Sequence, residues 1–291
     1  PMGADPIRAI RMGTLNAAAY FGLHDMGAVA PGYKADLAVF DDLRTLNVKQ
    51  VYKGGKLVAE KWKNAPSEEK NTDWSTEIKE RVFHSFHRVP ITVEELQLKE
   101  TTGTHQRVID MVAHELITKE RIEEWKELPG VAPGVDISRD IVKLAAIERH
   151  KNTGHVGLGF LGKYGLKKGA VATSIGHDSH NLVIAGVTDE DMVLAGNRVI
   201  ENGGGLAIAL EGKVLADLPL PIGGLMADEP VEVVDEKLEH MKKLSVELGI
   251  SEDIDAFMTL AFISLPVIPK LRLNTYGVVD VEKHQVVEAR F

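Results

Sequence analysis

The apolar and polar positions of the first 80 residues predict helices followed by short strands. Asp5-Pro6 has the form of a helix N-cap followed by proline at the first helical position. Residues 35–40 form a short apolar run, and residues 48–59 have the pattern of a hairpin whose turn is Gly54-Gly55. Residues 61–80 are polar and without periodicity, which is typical of a linker.

A second body of strands and helices is predicted from about Phe83 onwards. A helix should begin after Thr188, because the acidic residues that follow suit the positive end of a helix dipole, and it should end at Gly203–Gly205. Residues 231–248 have the spacing of a long amphipathic helix. Apolar strands are predicted at residues 107–112, 140–148 (where the pattern also allows a helix), 170–175, 182–187, 206–210 and 213–216.

Composition places the chain among ordinary globular proteins. Of its 291 residues, 44% are hydrophobic and 26% are charged, which allows one large domain or two smaller ones. The net charge of -9 argues against a nucleic acid or an anionic membrane as the main partner. The absence of cysteine excludes disulfides, thiolate metal sites and a cysteine nucleophile, and it fits a reducing cytoplasm.

A polar cluster between two predicted apolar strands is the first candidate for function. It comprises His177, Asp178, Ser179, His180 and Asn181. A sheet interior would not tolerate such a cluster, so we expect it at a strand end or in a cleft. There it could bond a ligand, or it could be a polar turn whose groups satisfy one another. A metal site at His177, Asp178 and His180 would require a turn, since residues 177 and 180 of a strand point to opposite faces.

Three further motifs each have a functional and a structural interpretation. Glu148-Arg149-His150 could place charge beside the polar cluster, although a salt bridge within the sheet explains Glu148 and Arg149 equally well. Gly157–Gly162 reads G-x-G-x-x-G, but the context of a dinucleotide fold is missing, and we interpret it as a flexible, turn-rich segment. The glycines at 203–205 and 223–224 could cradle phosphate, but helix capping explains the first group better.

Residues 3–60 resemble the end of the metal-dependent amidohydrolase pattern. The resemblance rests on Ala4–Ile7, Met12–Ala18, Gly27–Gly32 and Lys34–Val39. It implies the last helices of a (β/α)8 barrel, followed by strands that return to a small β-domain.

The remaining residues resemble the C-terminal domain of the adenine deaminase family. The carrying motifs are Ala146–His150, Gly159-Phe160, Gly169-Ala170, Ser174–Asn181 and Leu265–Leu273. The resemblance implies a hydrolase of purine salvage that converts adenine to hypoxanthine and ammonia. It also implies a divalent metal, manganese or iron, held by barrel residues that would precede residue 1. We therefore expect no catalytic residue and no metal ligand in this chain, and no activity from it alone.

The predicted fold is α+β, a mixed α/β-sheet domain joined to the tail of an amidohydrolase barrel and to part of a small β-domain. The predicted segments are residues 1–27 for the barrel helices, 28–62 for the small β-domain, 63–80 for a linker and 81–291 for the C-terminal domain. We expect the cleft candidates to be Glu148, Arg149, His177, Asp178, His180 and Asn181.

The expected partners are adenine, the missing N-terminal barrel segment and further copies of the chain, because strands without neighbours associate. Neither a nucleic acid nor a membrane is expected. Two other functions stay open at this point: a nucleotide-binding regulatory module, and a purely structural domain that assembles an oligomer.

Overall fold

The computed structural model describes residues 5–43, 45–60, 63–64, 75–98 and 102–291. The chain divides into two compact units, residues 1–73 and 74–291. Among the described residues, no helix is both long and apolar enough to cross a membrane.

The first unit holds short helices and a four-stranded antiparallel sheet in the order β1-β2-β3-β4. The side chain of Asp5 accepts a hydrogen bond from the backbone N–H of Arg8 at 2.9 Å, which confirms the predicted N-cap. The hairpin at Gly54-Gly55 is also confirmed. The elements are α1 Pro6–Arg11, a π-helical turn Met12–Asn16, α2 Ala17–Tyr20, β1 Leu37–Phe40, β2 Val48–Lys53, β3 Lys56–Glu60 and β4 Lys63–Asn64.

This first unit buries little apolar surface. Within residues 5–43 and 45–60, Ala18 is the one buried apolar residue. Large apolar side chains are instead exposed, among them Tyr20 at 85%, Phe21 at 72% and Val29 at 89%.

The second unit is built on an eight-stranded sheet in the order β12-β11-β9-β10-β7-β8-β5-β6. Neighbouring strands are antiparallel except β5 and β8, which are parallel. Its strands are β5 His105–Met111, β6 Thr118–Glu124, β7 Ile141–Ile147, β8 Val156–Gly162, β9 Ala170–Thr173, β10 Leu182–Gly186, β11 Gly205–Leu210 and β12 Lys213–Pro219. A three-stranded sheet and four helices complete the unit: β13 Leu271–Asn274, β14 Gly277–Asp280, β15 Gln285–Val287, α3 Thr76–Phe83, α4 Asp189–Glu201, α5 Val231–Glu247 and α6 Ala256–Ile263.

Both faces of the large sheet are buried. On one face, Val142 and Leu144 of β7 belong to a core shared with α5, α6 and the three-stranded sheet. On the other face, Ala145 and Ile147 pack in a core with α4. A strand buried on both sides has no polar face, which explains why residues 141–147 are apolar except for Lys143, whose buried ammonium pairs with Asp189 at 2.7 Å. This run is a strand, and the mixed α/β architecture agrees with the predicted α+β class.

The glycine-rich segment at 157–162 was wrongly predicted to be a flexible turn, because it forms strand β8. Its glycines allow the three-stranded sheet to approach closely. A Cβ at position 157 would lie 1.9 Å from the carbonyl oxygen of Asn274, and one at 159 would lie 3.0 Å from Cγ2 of Val278. Because the glycines lie inside a strand, they form no phosphate-binding loop, which removes the nucleotide-binding alternative.

The end of the segment predicted as a linker is helical. Helix α3 begins at Thr76, and the hydroxyl of Ser75 caps it by accepting from the N–H of Ile78 at 3.3 Å. The helix is polar and short, so its apolar periodicity is too weak to see in the sequence. Residues 65–74 of the predicted linker lie outside the described part of the chain.

Candidate functional site

Three connections meet at one edge of the large sheet. They are the β7–β8 loop at 148–155, the β9–β10 turn at 174–181 and the segment after β12 at 220–226. The register places them together, since Leu182 pairs with Ile147 and Leu206 pairs with Thr173 at this edge. The predicted polar cluster is therefore at strand ends, as expected from its composition.

Arg149 belongs to the first of these connections, and its buried side chain bonds to the other two. Its side chain is buried, with 1% of the residue exposed, and its Nε donates to the carbonyl oxygen of His180. Its Nη2 donates to the carbonyl oxygen of Gly223 at 3.0 Å, and the guanidinium lies over the ring of Phe86 at 4.9 Å. Burial lowers the pKa of Arg149 to about 10, against the opposing effect of the Glu148 carboxylate. Arg149 remains a cation at neutral pH.

Glycines create the space that this guanidinium occupies. A Cβ at Gly224 would lie 2.7 Å from Nη1 of Arg149, and one at Gly204 would lie 2.3 Å from the Cα of Gly224. The backbone N–H groups of Gly203 and Gly204 donate to carbonyls in the last turn of α4. This confirms the helix-capping interpretation of the first glycine run, and its contact with the second run is a feature that the sequence did not show.

The 177–181 turn is fixed to helix α6. The N–H of His177 donates to the carbonyl of Ala261 at 2.7 Å, and the hydroxyl of Ser264 donates to the carbonyl of His177 at 3.0 Å. The imidazole of His177 stacks on the ring of Phe262, with centroids 4.9 Å apart. The backbone of His177 is thereby held while its ring edge stays accessible.

The exposed part of the turn is a histidine–aspartate pair. Nδ1 of His177 and Oδ1 of Asp178 are 2.9 Å apart, and their side chains are 45% and 81% exposed. With Nδ1–H donated to the carboxylate, Nε2 of His177 is left as an acceptor; when protonated it becomes a donor. This pair can therefore bond a polar ligand from the solvent side.

His180 and Asn181 lie deeper than this pair. Nδ1 of His180, Oδ1 of Asn181 and Nη1 of Arg149 are buried and have no hydrogen-bond partner. Burial lowers the pKa of His180, and the charges of Arg149, His177 and His150 lower it further. Unpaired buried groups cost free energy, so a polar group that reached these atoms would be stabilised by bonding them.

Glu148 has a structural role in its own loop. Burial raises the pKa of its carboxyl, but hydrogen bonds from the backbone N–H groups of Thr153, Lys151 and His150 outweigh this effect and bring the pKa to about 2. The alternative of a salt bridge within the sheet is wrong, because Arg149 bonds to carbonyl oxygens instead. The loop reaches the turn through His150, whose Nε2 is 2.7 Å from the carbonyl oxygen of Ser179.

The structure thus brings five of the six predicted residues into one site and leaves Glu148 in the supporting loop. Sequence reasoning missed Phe86 and Phe262, which contact the site from far along the chain, whereas Gly224 belongs to a glycine pair that the sequence had singled out. No local pattern marks Phe86 or Phe262, because each acts through a tertiary contact.

The described residues do not fit a divalent metal of their own. Within the described ranges, no three His, Cys, Asp or Glu side chains are grouped so that they could hold a metal ion. The rings of His177 and His180 are 6.4 Å apart between centroids, with no third ligand grouped with them.

Two family models match the chain in succession. Residues 2–58 match the amidohydrolase family, and residues 115–285 match the adenine deaminase C-terminal domain. Adenine deaminase 2 of Carboxydothermus hydrogenoformans is 44% identical over 98% of this chain, and adenine deaminase of Kosmotoga olearia is 43% identical over 98%. Adenine deaminase of Petrotoga mobilis is 41% identical over 97%.

The chain spans about half the length of these curated relatives, 48% to 49% of each. The second family model alone covers more than half of the chain, so the chain belongs to the family of the adenine deaminase C-terminal domain.

Proposed function

We propose that this chain is the substrate-framing portion of an adenine deaminase, which hydrolyses adenine to hypoxanthine and ammonia in purine salvage in the cytoplasm. The proposal is supported by the names of relatives at 41% to 44% identity and by the match to the C-terminal domain model. The observation that carries it is the exposed His177–Asp178 pair. The turn that holds this pair is fixed by hydrogen bonds from Arg149, from His150 and from Ser264 at the end of helix α6.

In this proposal His177 and Asp178 contact the purine. Adenine presents ring nitrogens as acceptors and its exocyclic amine as a donor. The Asp178 carboxylate can accept from the amine, and Nε2 of His177 can bond a ring nitrogen. His180 and Asn181 lie beneath and bring unpaired polar atoms to the same turn. Arg149 positions the turn, and Glu148 positions the loop beside it.

The metal belongs to a different segment. The amidohydrolase family is generally metal-dependent, and in the proposed enzyme the metal is manganese or iron. We propose that its ligands come from barrel residues outside this chain, as the resemblance to the amidohydrolase family implies. The 291 residues alone are therefore expected to release no ammonia from adenine.

The barrel segment is also the proposed partner of the first unit. Residues 1–27 correspond to the last barrel helices and residues 28–62 to strands of the small β-domain, with 63–80 as the connection to 81–291. The exposed Tyr20, Phe21 and Val29 supply the apolar surface that such a segment would cover. Without it, the same surface and the sheet edges favour homo-oligomers.

The proposal is tested by co-expressing the chain with the metal-binding segment of a relative and measuring ammonia release from adenine. We expect a complex that turns over adenine, whereas the chain alone does not. In the complex, Asp178→Asn should lower kcat/KM by about tenfold or more, since asparagine has one acceptor oxygen and cannot accept from both Nδ1–H of His177 and the adenine amine. Asp235→Asn, an exposed aspartate on α5, is the matched control and should leave the rate unchanged.

The remaining alternative, a purely structural or oligomerisation domain, predicts a different result. In that case the complex of the Asp178→Asn variant assembles and turns over adenine at the normal rate. Size-exclusion chromatography of the same samples separates lost assembly from lost turnover. Deamination by the purified 291-residue chain alone would overturn the assignment of the metal to another segment.

A further inference from the structure

A cavity of about 330 Å³ lies between the β5–β6 connection, helix α6 and strand β13. Its walls include Leu116, Met258, Phe262 and Ile263, and Arg272 of β13 also lines it. The cavity is separate from the exposed His177–Asp178 pair, although Phe262 borders both.

Arg272 is a buried cation without a counter-ion. It is 1% exposed, and its Nη1 donates to the carbonyl of Leu271 at 3.3 Å while Nη2 donates to the carbonyl of Leu116. Its Nε has no partner. A guanidinium has five N–H donors, so three find no acceptor among the residues that the structure describes. In the described part of the chain no carboxylate lies within ion-pair distance of it, and burial lowers its pKa to about 10.

An uncompensated charge in such a position costs free energy that an anion would recover. A carboxylate suits a guanidinium because its two oxygens match the planar, forked arrangement of the N–H donors. Exposed apolar side chains contribute to the cavity lining: Leu116 is 52% exposed, Ile117 41% and Met258 45%. The ligand should therefore combine one acid group with an apolar body.

Other charges at the cavity limit the ligand to a single negative charge. The exposed carboxylates of Glu115, Asp253 and Asp255 line the cavity and would repel a second acid group. Lys163 is the other cation at the cavity and is exposed, so solvent screens it. The buried Arg272 is thus the group that selects the anion.

We infer that this cavity binds a small monocarboxylate with an aromatic or aliphatic body, its acid group on Arg272 and its body against Leu116, Met258 and Phe262. This inference does not rest on the proposed function, because adenine carries no negative charge for Arg272 to bind. Phe262 connects the two regions, since it lines the cavity and stacks on His177 at 4.9 Å.

The test is calorimetric titration of the 291-residue chain with benzoate and with benzamide, its neutral analogue of similar shape. We expect benzoate to bind one per chain, at least about tenfold more tightly than benzamide, because the charged hydrogen bonds are lost with the amide. Arg272→Met should reduce benzoate affinity to that of benzamide.

A second variant keeps the test valid if Arg272→Met does not fold. Met258→Trp places a large side chain in the cavity mouth and should weaken benzoate binding about tenfold or more, while circular dichroism shows a native fold. Val231→Trp, at an exposed site on α5 outside the cavity, is the matched control and should bind benzoate normally. Equal affinities for the two ligands, or benzoate binding that survives Met258→Trp, would overturn the inference.

Discussion

The guanidinium of Arg149 donates a hydrogen bond to the backbone carbonyl of His180, 31 residues further along the chain. The same side chain reaches the carbonyl of Gly223, so one buried cation connects the turn at 174–181 with the segment after β12. Carbonyl oxygens rather than a carboxylate receive these bonds. Arg149 therefore fixes backbone positions, and through them the orientation of the exposed His177–Asp178 pair.

Replacing Arg149 with methionine should destabilise the second unit by about 2–4 kcal/mol. Two carbonyl groups would lose charge-assisted hydrogen bonds, and this loss exceeds the gain from removing a buried charge. Urea unfolding gives the free energy change. Amide hydrogen exchange should also become faster at His180, whose N–H bonds to the carbonyl of Gly176 at 2.6 Å in the same turn.

Arg198→Met is the control for that change. The side chain of Arg198 is 40% exposed and forms surface ion pairs with Glu201 and Asp217. Such pairs contribute little, so the free energy of unfolding should change by less than about 1 kcal/mol. Equal effects of the two arginine variants, or unchanged exchange at His180 in Arg149→Met, would contradict the positioning role.

His180 should make stability depend on pH near neutrality. Burial and the neighbouring cations lower its pKa below the ordinary value of 6.5, so the unfolded chain binds the proton more readily than the folded chain. Its contribution is therefore fully present above pH 6.5 and is lost as pH falls through the folded pKa.

The variant for this test is His180→Asn, because asparagine accepts the left-handed backbone found at this position, φ +49°. The free energy of unfolding of the variant should fall less between pH about 7 and about 5 than that of the original chain. His155→Asn changes a histidine outside the turn and should leave the original slope. Identical slopes for His180→Asn and the unaltered chain would show that His180 does not carry this effect.

The ionised carboxylate of Glu148 should also stabilise the fold. As for His180, this contribution should be lost as pH falls, but in a more acidic pH range. Hydrogen bonds from its own loop bring its pKa from 4.5 to about 2 despite the opposing effect of burial. The contribution is fully present above pH 4.5 and is lost as pH falls through about 2. Glu148→Gln should therefore be less stable at neutral pH, and the difference from the original chain should shrink at pH about 3. Urea unfolding at the two pH values measures both differences, and a constant difference would contradict the assignment.

The secondary structure of the large sheet could be predicted because its signals are local. Thr188 caps α4 by accepting from the N–H of Asp191, and Glu211-Gly212 turns β11 into β12, as their sequence patterns indicated. The helix α3 was missed because Ile78 is the one apolar residue at 76–80 and the cap, Ser75, is the main signal. Strand β8 was missed because glycine usually marks a turn in a sequence.

The sequence predicted which residues form the candidate site, but it did not predict the tertiary contacts that hold them in place. The segment His177–Asn181 is recognisable because five polar side chains lie between two apolar strands. The stack of Phe262 on His177 and the contact of Gly224 with Arg149 join residues more than 70 positions apart, which no local pattern encodes. The predicted pairing of Glu148 with Arg149 failed for the same reason, since the acceptors of Arg149 are remote carbonyls.

Alanine substitutions at Gly157 and Gly159 test why strand β8 contains glycine at these positions. At position 157 an added Cβ would meet the backbone carbonyl of Asn274 at 1.9 Å, and backbone cannot move without separating the two sheets. At position 159 the added Cβ would meet the end of the Val278 side chain at 3.0 Å, which a small shift relieves.

Gly157→Ala should thus cost about 3 kcal/mol or more, and Gly159→Ala about 1 kcal/mol. Neither glycine has a positive φ, so the alanine variants carry no backbone strain of their own and differ only in what the methyl group meets. Thermal and urea unfolding of both variants give the order, and a larger loss for Gly159→Ala would mean that the close contact between β8 and β13 is not what requires glycine.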